Sequence, residues 1–472
     1  MRKASLLPLA ALGLAGCATV STQEPPTMAV PASYKHENGW TVAGPADTLD
    51  RGDWWRAFDD PVLDGLMARV DTATPTLAAA LARYDQAVAN ARAAGAAQYP
   101  TLDAQGSASR ERLSAGRPIG PGYPVTANQF MLGGALSYEL DLWGRVRNTV
   151  RAAQADADAE AANLRSARLS LQAAVADAYI RLRGIEAEQV LLERTVSAYD
   201  RAHQLIVTRH DGGIASGVDV SRSQTQLSIA AARAEALKAE HAELEHQIAV
   251  LVGEMPSTFT LAAQVRPATL PAYPSGLPSE LLQRRPDIAA AQRRLAAANA
   301  RIGVARAAFY PDISLGLTGG FQATDAPIIS APTSFWGLGP LSAVLNLFDG
   351  GRRKARLALS KAQYEELAAN YRNIVLDAFR ETEDALARIG SLERQNVRQR
   401  EGAAAARRTE ELAFDRYREG AADYLEVTTA QAASLAAQQD NIRVSVDQQR
   451  AAIALVRAIG GGAETSGQAA LP

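Results

Sequence analysis

Cys17 is the only cysteine in the chain, and its neighbours say what its thiol could do. Met1, Arg2 and Lys3 make a basic start, residues 6–14 are an apolar run, and Ala15 and Gly16 set two small residues directly before the thiol. That order is the pattern of a secretion signal cut before Cys17, with the thiol then carrying lipid. An ordinary signal with an incidental cysteine is the alternative. The small residues at 15 and 16, with no other cysteine in the chain, favour lipidation. With no second thiol, no intrachain disulfide can form.

Acidic side chains gather at two glycine-rich turns, 209–220 and 416–427. Gly213 and Gly420 can supply the left-handed residue that ends a helix. Ser216 and Asp423 stand three residues before Asp219 and Glu426, the spacing of a capping box. Capping is one role for these groups. A second appears if copies assemble about an axis, because equivalent carboxylates then form rings that attract cations and resist closing unless partnered. Exposed backbone at Gly212, Gly213, Gly217 and Gly420 would also admit a docking protein closely, although turning the chain explains each glycine equally well.

Other chemistry finds little support. None of the five histidines, at 36, 203, 210, 241 and 246, stands at i, i+4 from another, and no cysteine partners them, so no metal centre is expected. Gly350-Gly351-Arg352 lacks the Lys-Ser/Thr of a phosphate loop. No catalytic residues and no cofactor are expected, and the chain does not read as an enzyme. The net charge of −2 gives no field to recruit nucleic acid. No interior run of about 18 apolar residues exists, so a membrane could be crossed only by strands.

The elements that position these groups follow from periodicity. Ile288, Ala291, Leu295, Ala298, Ile302, Ala305 and Phe309 recur at steps of three and four, an Ala-rich helical seam over 286–309. Tyr310-Pro311 stops it, and the period becomes two at Ile313, Leu315, Leu317, Gly319 and Phe321. Leu77, Ala80, Tyr84, Ala87, Ala91 and Ala94 repeat the seam, and Tyr99-Pro100 repeats the stop 211 positions earlier. Leu102, Ala104, Gly106 and Ala108 repeat the alternation, so the chain reads as a tandem duplication.

Strands are expected at about 101–110, at a second segment alternating through Phe130, Leu132, Gly134, Leu136, Tyr138 and Leu140, and at about 312–321 and 335–348. Loops are expected at 111–126 and 322–333. Apolar-out, polar-in alternation with Tyr99, Trp143, Tyr310, Phe335, Trp336 and Phe348 near the ends is the pattern of a membrane β-barrel. A single-chain membrane barrel needs about eight strands, and an open edge in lipid leaves backbone groups unpaired. Four strands per chain therefore require two, three or four copies.

Two long helices follow the strand pairs, 145–209 and 352–416, each roughly 97 Å if unbroken. Residues 145–209 hold no proline and a single glycine, Gly184. Helices 218–253 and 286–309 together offer roughly 60 residues to lie along one long partner. Helices this long outrun a compact domain, and they suit a tube standing in water. Pro/Gly-rich 254–284 and 461–472 would bulge at its mid-height.

The stretch RRPDIAAAQRRLAAANARIGVARAAFYPDISL, at 284–315, resembles the signature of the TolC-like outer-membrane factors, in particular the NodT-type efflux lipoprotein branch. Trp54, Trp55, Phe58 and Asp60-Pro61 resemble that branch's opening, and Ala18 after Cys17 resembles its outer-membrane sorting pattern. Gln292 departs from the pattern, where the branch usually carries Glu. The resemblance spans Trp54 to about Gly460. It implies a mainly α fold with a β-barrel part: a long α-helical periplasmic barrel, four transmembrane strands per chain, and a homotrimer sharing one 12-stranded barrel.

The same resemblance implies a domain plan. Residues 1–16 are the signal peptide, 17–60 a lipid-anchored tether with a packing segment, 61–275 and 276–460 the two repeats, and 461–472 a tail near an equatorial belt. It implies a passive duct of a tripartite efflux pump, partnered by a periplasmic membrane-fusion adaptor and an inner-membrane transporter of RND type. Glu426 falls on the acidic position of the closed aperture and Tyr417 on its tyrosine, with Asp423 beside them. Thr429 and Ala422 depart from a second acid and an arginine found in other members. Gly212, Gly213, Gly217, Asp219, Gly420 and Ala421 fall at the adaptor-docking tips. A duct for secreted polypeptides, or a channel-less coiled-coil adaptor, are the other readings considered.

Overall fold

The computed structural model describes residues 53–116, 123–264, 285–325 and 327–461. Cys17, the tether ahead of Asp53, most of the Pro/Gly-rich 254–284 and the tail from 462 lie outside the described residues.

Helices α1 (Pro61–Ala73) and α2 (Pro75–Ala96) precede strands β1 (Thr101–Leu113) and β2 (Val125–Glu139). Helix α3 (Arg145–Asp211) and its return α4 (Gly217–Leu251) complete one repeat. The second repeat runs α5 (Pro286–Ala307), β3 (Asp312–Ala323), β4 (Ser334–Val344), α6 (Arg352–Arg418) and α7 (Tyr424–Ala458). α3 and α6 have 67 residues each, and α4 and α7 have 35 each. Equal lengths at equivalent places are the duplication in physical form, with both rods two residues longer than the periodicity alone predicts.

The chain divides into two compact units, and α3 and α6 contribute to both. One unit contains Arg83–Ala161 and Ala290–Arg372. It holds the single sheet, in the order β1-β2-β3-β4, with every neighbouring pair antiparallel. The register stacks like on like: Leu102 faces Leu136, Leu136 faces Leu317 and Leu317 faces Leu338. One face is thus an apolar band, and its outer members lie open, with Trp336 82 % and Leu338 71 % exposed. β1 and β4 are edges with no further partner among the described residues.

Several strand boundaries differ from expectation. β1 and β2 extend further into the 111–126 loop than their alternation suggests, while β4 stops at Val344 and not at 348. Val344 pairs with Asp312, where β3 begins after Pro311, so the ladder has run out of partner. Between Leu315–Leu341 and Leu317–Leu338 the register slips by one residue. Pro340 has no N–H to give a ladder, so the bulge falls where it costs least.

The expected seam is half right in each copy. In α5, Ile288, Ala291, Leu295, Ala298 and Ile302 are buried, but the helix stops at Ala307. Phe309 falls outside it and lies under the Arg353 guanidinium, 5.5 Å from the ring centre. In α2 only Ala80 is buried, and the other seam residues are half-buried.

The other unit contains the described residues within 53–82, 162–289 and 373–461. Its core includes Trp54, Trp55 and Phe58, which form a short 3-10 helix packed edge to edge, together with Leu63, Met67, Tyr179, Leu182 and Ile248. Those aromatic rings are packing groups. Asp60 caps α1 through the Val62 and Leu63 N–H groups and accepts from the Tyr179 hydroxyl at 2.7 Å. Gly184 does not break α3. A Cβ at that position would sit 2.6 Å from Val446 Cγ2 of α7, so the glycine is where two helices touch.

Candidate functional site

The two turns are built alike. α3 ends in a Schellman motif: the Gly213 N–H donates to His210 O at 2.8 Å, the Ile214 N–H donates to Arg209 O at 2.8 Å, and Gly213 has φ 72°. α6 ends the same way, with Gly420 donating to Tyr417 O, Ala421 donating to Arg416 O, and Gly420 at φ 75°. Both glycines do the work their position in the sequence implied.

The returns differ. Ser216 and Asp219 form a complete capping box at the start of α4. At α7 the Asp423 side chain accepts from the Glu426 N–H at 2.9 Å, but the reciprocal bond expected of Glu426 is absent. Glu426 turns to Arg416, whose Nη1 donates to its Oε1 at 2.7 Å. A full charge partner outcompetes a second bond to an exposed backbone N–H.

Equivalent arginines do different jobs. Arg416 stays within its own turn, also donating to Ala421 O. Arg209 reaches from the first turn to the second. It donates to Tyr417 O at 3.1 Å and Arg418 O at 2.7 Å, and its guanidinium lies 5.1 Å from the Tyr417 ring centre. A cation on the last carbonyls of α6 neutralises the negative end of that helix. The turns are tied together within one chain by this residue, which composition alone did not single out. The signal available was an arginine two residues before the final helical residue in both turns.

Behind this link Tyr417 and Tyr424 are buried, 5.3 Å apart and tilted, against Ile206 and Val427. Burial first, then the neighbouring Tyr417 and Asp219, push the Tyr424 hydroxyl up to about 12, so its ring is neutral at physiological pH. Deeper in, burial raises the Glu410 carboxyl, an effect that its hydrogen bond with Ser434 partly offsets. On the outer surface Ile214, Val218 and Leu425 are exposed, beside an open groove that Gly217, Arg222 and Thr428 also line. Among the described residues no group of three His, Cys, Asp or Glu could hold a metal ion, and no helix is long and apolar enough to cross a membrane.

The residues expected at an aperture, Glu426, Asp423 and Tyr417, and those expected at docking tips, Gly212, Gly213, Gly217, Asp219, Gly420 and Ala421, all lie in or beside the two linked turns. Tyr417 is buried in the link, whereas Glu426 and Asp423 are exposed.

The family model described as outer membrane efflux protein matches residues 69–253 and 277–461. The chain is 33 % identical over 472 residues to the pyoverdine export outer membrane protein OpmQ of Pseudomonas putida, covering 98 % of this chain and 97 % of that protein. It is 33 % identical, with the same coverage, to the toluene efflux pump outer membrane protein TtgC of Pseudomonas putida. Among solved structures it is similar to the outer-membrane channel OprN, with TM-score 0.84, 32 % identity and coverage of 93 % and 99 %. It is similar also to the open state of the MtrE outer membrane channel of Neisseria gonorrhoeae, with TM-score 0.79, 25 % identity and coverage of 94 % and 98 %.

Proposed function

This chain belongs to the outer membrane efflux protein family, and on that premise we propose that three copies close one barrel and that their linked turns form its periplasmic aperture. The protein is an outer-membrane efflux channel with a periplasmic helical extension. The observation that carries the shared barrel is the four-stranded sheet with an exposed apolar face and two edges unpaired among the described residues, and the family resemblance sets the number of copies at three. Three such sheets give twelve strands and leave no edge in lipid. Cys17 carries the lipid that tethers the chain to that membrane.

Glu426, Asp423 and Tyr417 belong to the closed aperture, with Arg209 and Arg416 as the cations that hold it. That a relative has been solved in an open state supports a gate with two positions. The exposed tips, from Gly212 to Asp219 and at Gly420 and Ala421, receive a periplasmic adaptor that joins the duct to an inner-membrane transporter of RND type. The cargo is small, mostly amphiphilic and toxic, a class that includes antibiotics. Relatives named for pyoverdine export and toluene efflux support that class.

The test is conductance of the purified full-length protein in planar bilayers, with co-purification of its partners from native membranes. Ion passage by a trimer that brings down an adaptor and a pump is the expected result. Absence of conductance would overturn the duct. Co-purification with a polypeptide-secretion transporter would replace the cargo.

A further inference from the structure

The sheet and the starts of both long helices lie in the same compact unit, and at their junction basic side chains outnumber acidic ones. A helix begins with the positive end of its dipole and favours acids there. Asp141 and Asp349, just ahead of α3 and α6, meet that preference by accepting from the Arg147 and Arg353 backbone N–H groups, but the first turns themselves hold no acid. The first two turns hold Arg145, Arg147 and Arg151 in α3, and Arg352, Arg353, Lys354 and Arg356 in α6. Arg147 and Arg151, and likewise Arg352 and Arg356, stand at i, i+4, where like charges repel.

Carboxylates at this end neutralise only some of them. Glu139 pairs with Arg145, Asp141 with Arg147 and Asp349 with Arg353. Arg151, Arg352, Lys354 and Arg356 are exposed and have no carboxylate partner among the described residues. Four unpaired cations at helix starts imply an anion outside the chain.

Their position says which anion. The apolar band of the sheet continues past β4 into Leu347 and Phe348, 86 % and 88 % exposed, and Arg352 follows four residues after Phe348. On the other repeat Trp143 stacks on Tyr310 at 4.8 Å and donates to Pro311 O at 2.8 Å, fixing an aromatic ring at the same end of the sheet. Apolar strands, then aromatics, then cations is the order of groups met on leaving a bilayer. From Arg352 to Arg356 the helix rises about 6 Å, close to the thickness of one headgroup layer, roughly 5–8 Å.

We propose that Arg151, Arg352, Lys354 and Arg356 form a cationic collar that binds the phosphates of anionic phospholipids in the leaflet nearest the helices. The collar rests on the reading that the apolar sheet face meets lipid. Phosphate oxygens accept from the guanidinium and ammonium groups and supply the negative charge that Asp141 and Asp349, each already paired, do not extend to these four.

Native mass spectrometry of the full-length oligomer tests this with phosphatidylglycerol and phosphatidylcholine of matched chains. The protein should retain phosphatidylglycerol preferentially. Raising salt from 0.1 to 1 M, which shortens the screening length from about 10 to about 3 Å, should abolish the preference. R151Q/R352Q/K354Q/R356Q should lower phosphatidylglycerol retention about tenfold and leave phosphatidylcholine unchanged, while the four Arg/Lys exchanges keep it. If the neutralised variant fails to assemble, the salt titration of the unaltered protein decides alone. Equal retention of the two lipids overturns the collar. So does a neutralised variant whose pore changes ion selectivity while its lipid preference persists, which would place these cations in the duct. A conducting oligomer without lipid preference refutes the collar alone; a protein that never conducts refutes the barrel beneath it.

Discussion

Arg209 stands in the last turn of the first long helix, yet its side chain closes the second, donating to Tyr417 O at 3.1 Å and lying 5.1 Å from that residue's ring centre. The two repeats are coupled at their tips by one side chain acting on another helix's terminal carbonyls. Hydrogen bonds from a charged donor contribute about 1.5–3 kcal/mol each before solvent exposure discounts them. Arg209→Ala should therefore raise the resting conductance about tenfold in planar bilayers, and Arg209→Lys, without the fork that spans two carbonyls, should recover only part of the closure. Unchanged conductance in Arg209→Ala would remove it from the gate.

The Glu426–Arg416 pair is more exposed and so worth less, about 0.2–1 kcal/mol. Glu426→Ala and Arg416→Ala should each raise resting conductance by no more than about fivefold, and the double variant should add little to either. Conductance that falls in Glu426→Ala would mean that like-charge repulsion props the aperture open.

Gly184 faces Val446 across a gap that admits no methyl group, with a built Cβ 2.6 Å from Cγ2. Gly184→Ala should destabilise the folded protein by about 1–3 kcal/mol despite its better helix propensity. Adding Val446→Ala should restore most of the loss in thermal unfolding. A stabilised single variant would show that the helices part freely there.

Glu410 is held above the usual carboxylate range by burial. The folded protein thus binds that proton more tightly than the unfolded chain. The stability this contributes is full below the unfolded carboxylate value, about 4.3, and is lost as pH rises through the raised folded value. Glu410→Gln, which keeps a partner for Ser434, should raise the unfolding temperature at pH 7 and flatten its rise on acidification. A lower unfolding temperature at pH 7 would mean that the charged form is the stabilising one.

Periodicity made the repeats, strands and rods legible because each rests on short spacing: three and four along Ile288 to Ile302, two along Ile313 to Phe321. It overran at Phe309 and at the end of β4, where the limits are set by a crossing cation and an exhausted neighbour strand. Gly184 stood out as a lone interruption, but Val446, its reason, lies 262 positions away. The turn glycines and caps were legible because capping is local. The Arg209 link was not, since it joins residues about two hundred positions apart, and the Arg416 partner that draws Glu426 out of its capping box, only ten positions away, falls at no helical or capping spacing.

In the proposed trimer identical neighbours complete the sheet's two edges, and the duplication fixes how. Ser137 of β2 faces Gly316 of β3, Ser137 corresponds to Val344, and Gly316 corresponds to Gln105. Copying that pair across the edge places Val344 opposite Gln105 of the next copy. With Cys17 the only native cysteine, Val344→Cys/Gln105→Cys should oxidise to a covalent trimer in outer membranes. Val344→Cys/Ala104→Cys, slipped by one residue onto the opposite face, should not. Cross-linking in the slipped pair, or only monomer in the matched one, would contradict the account.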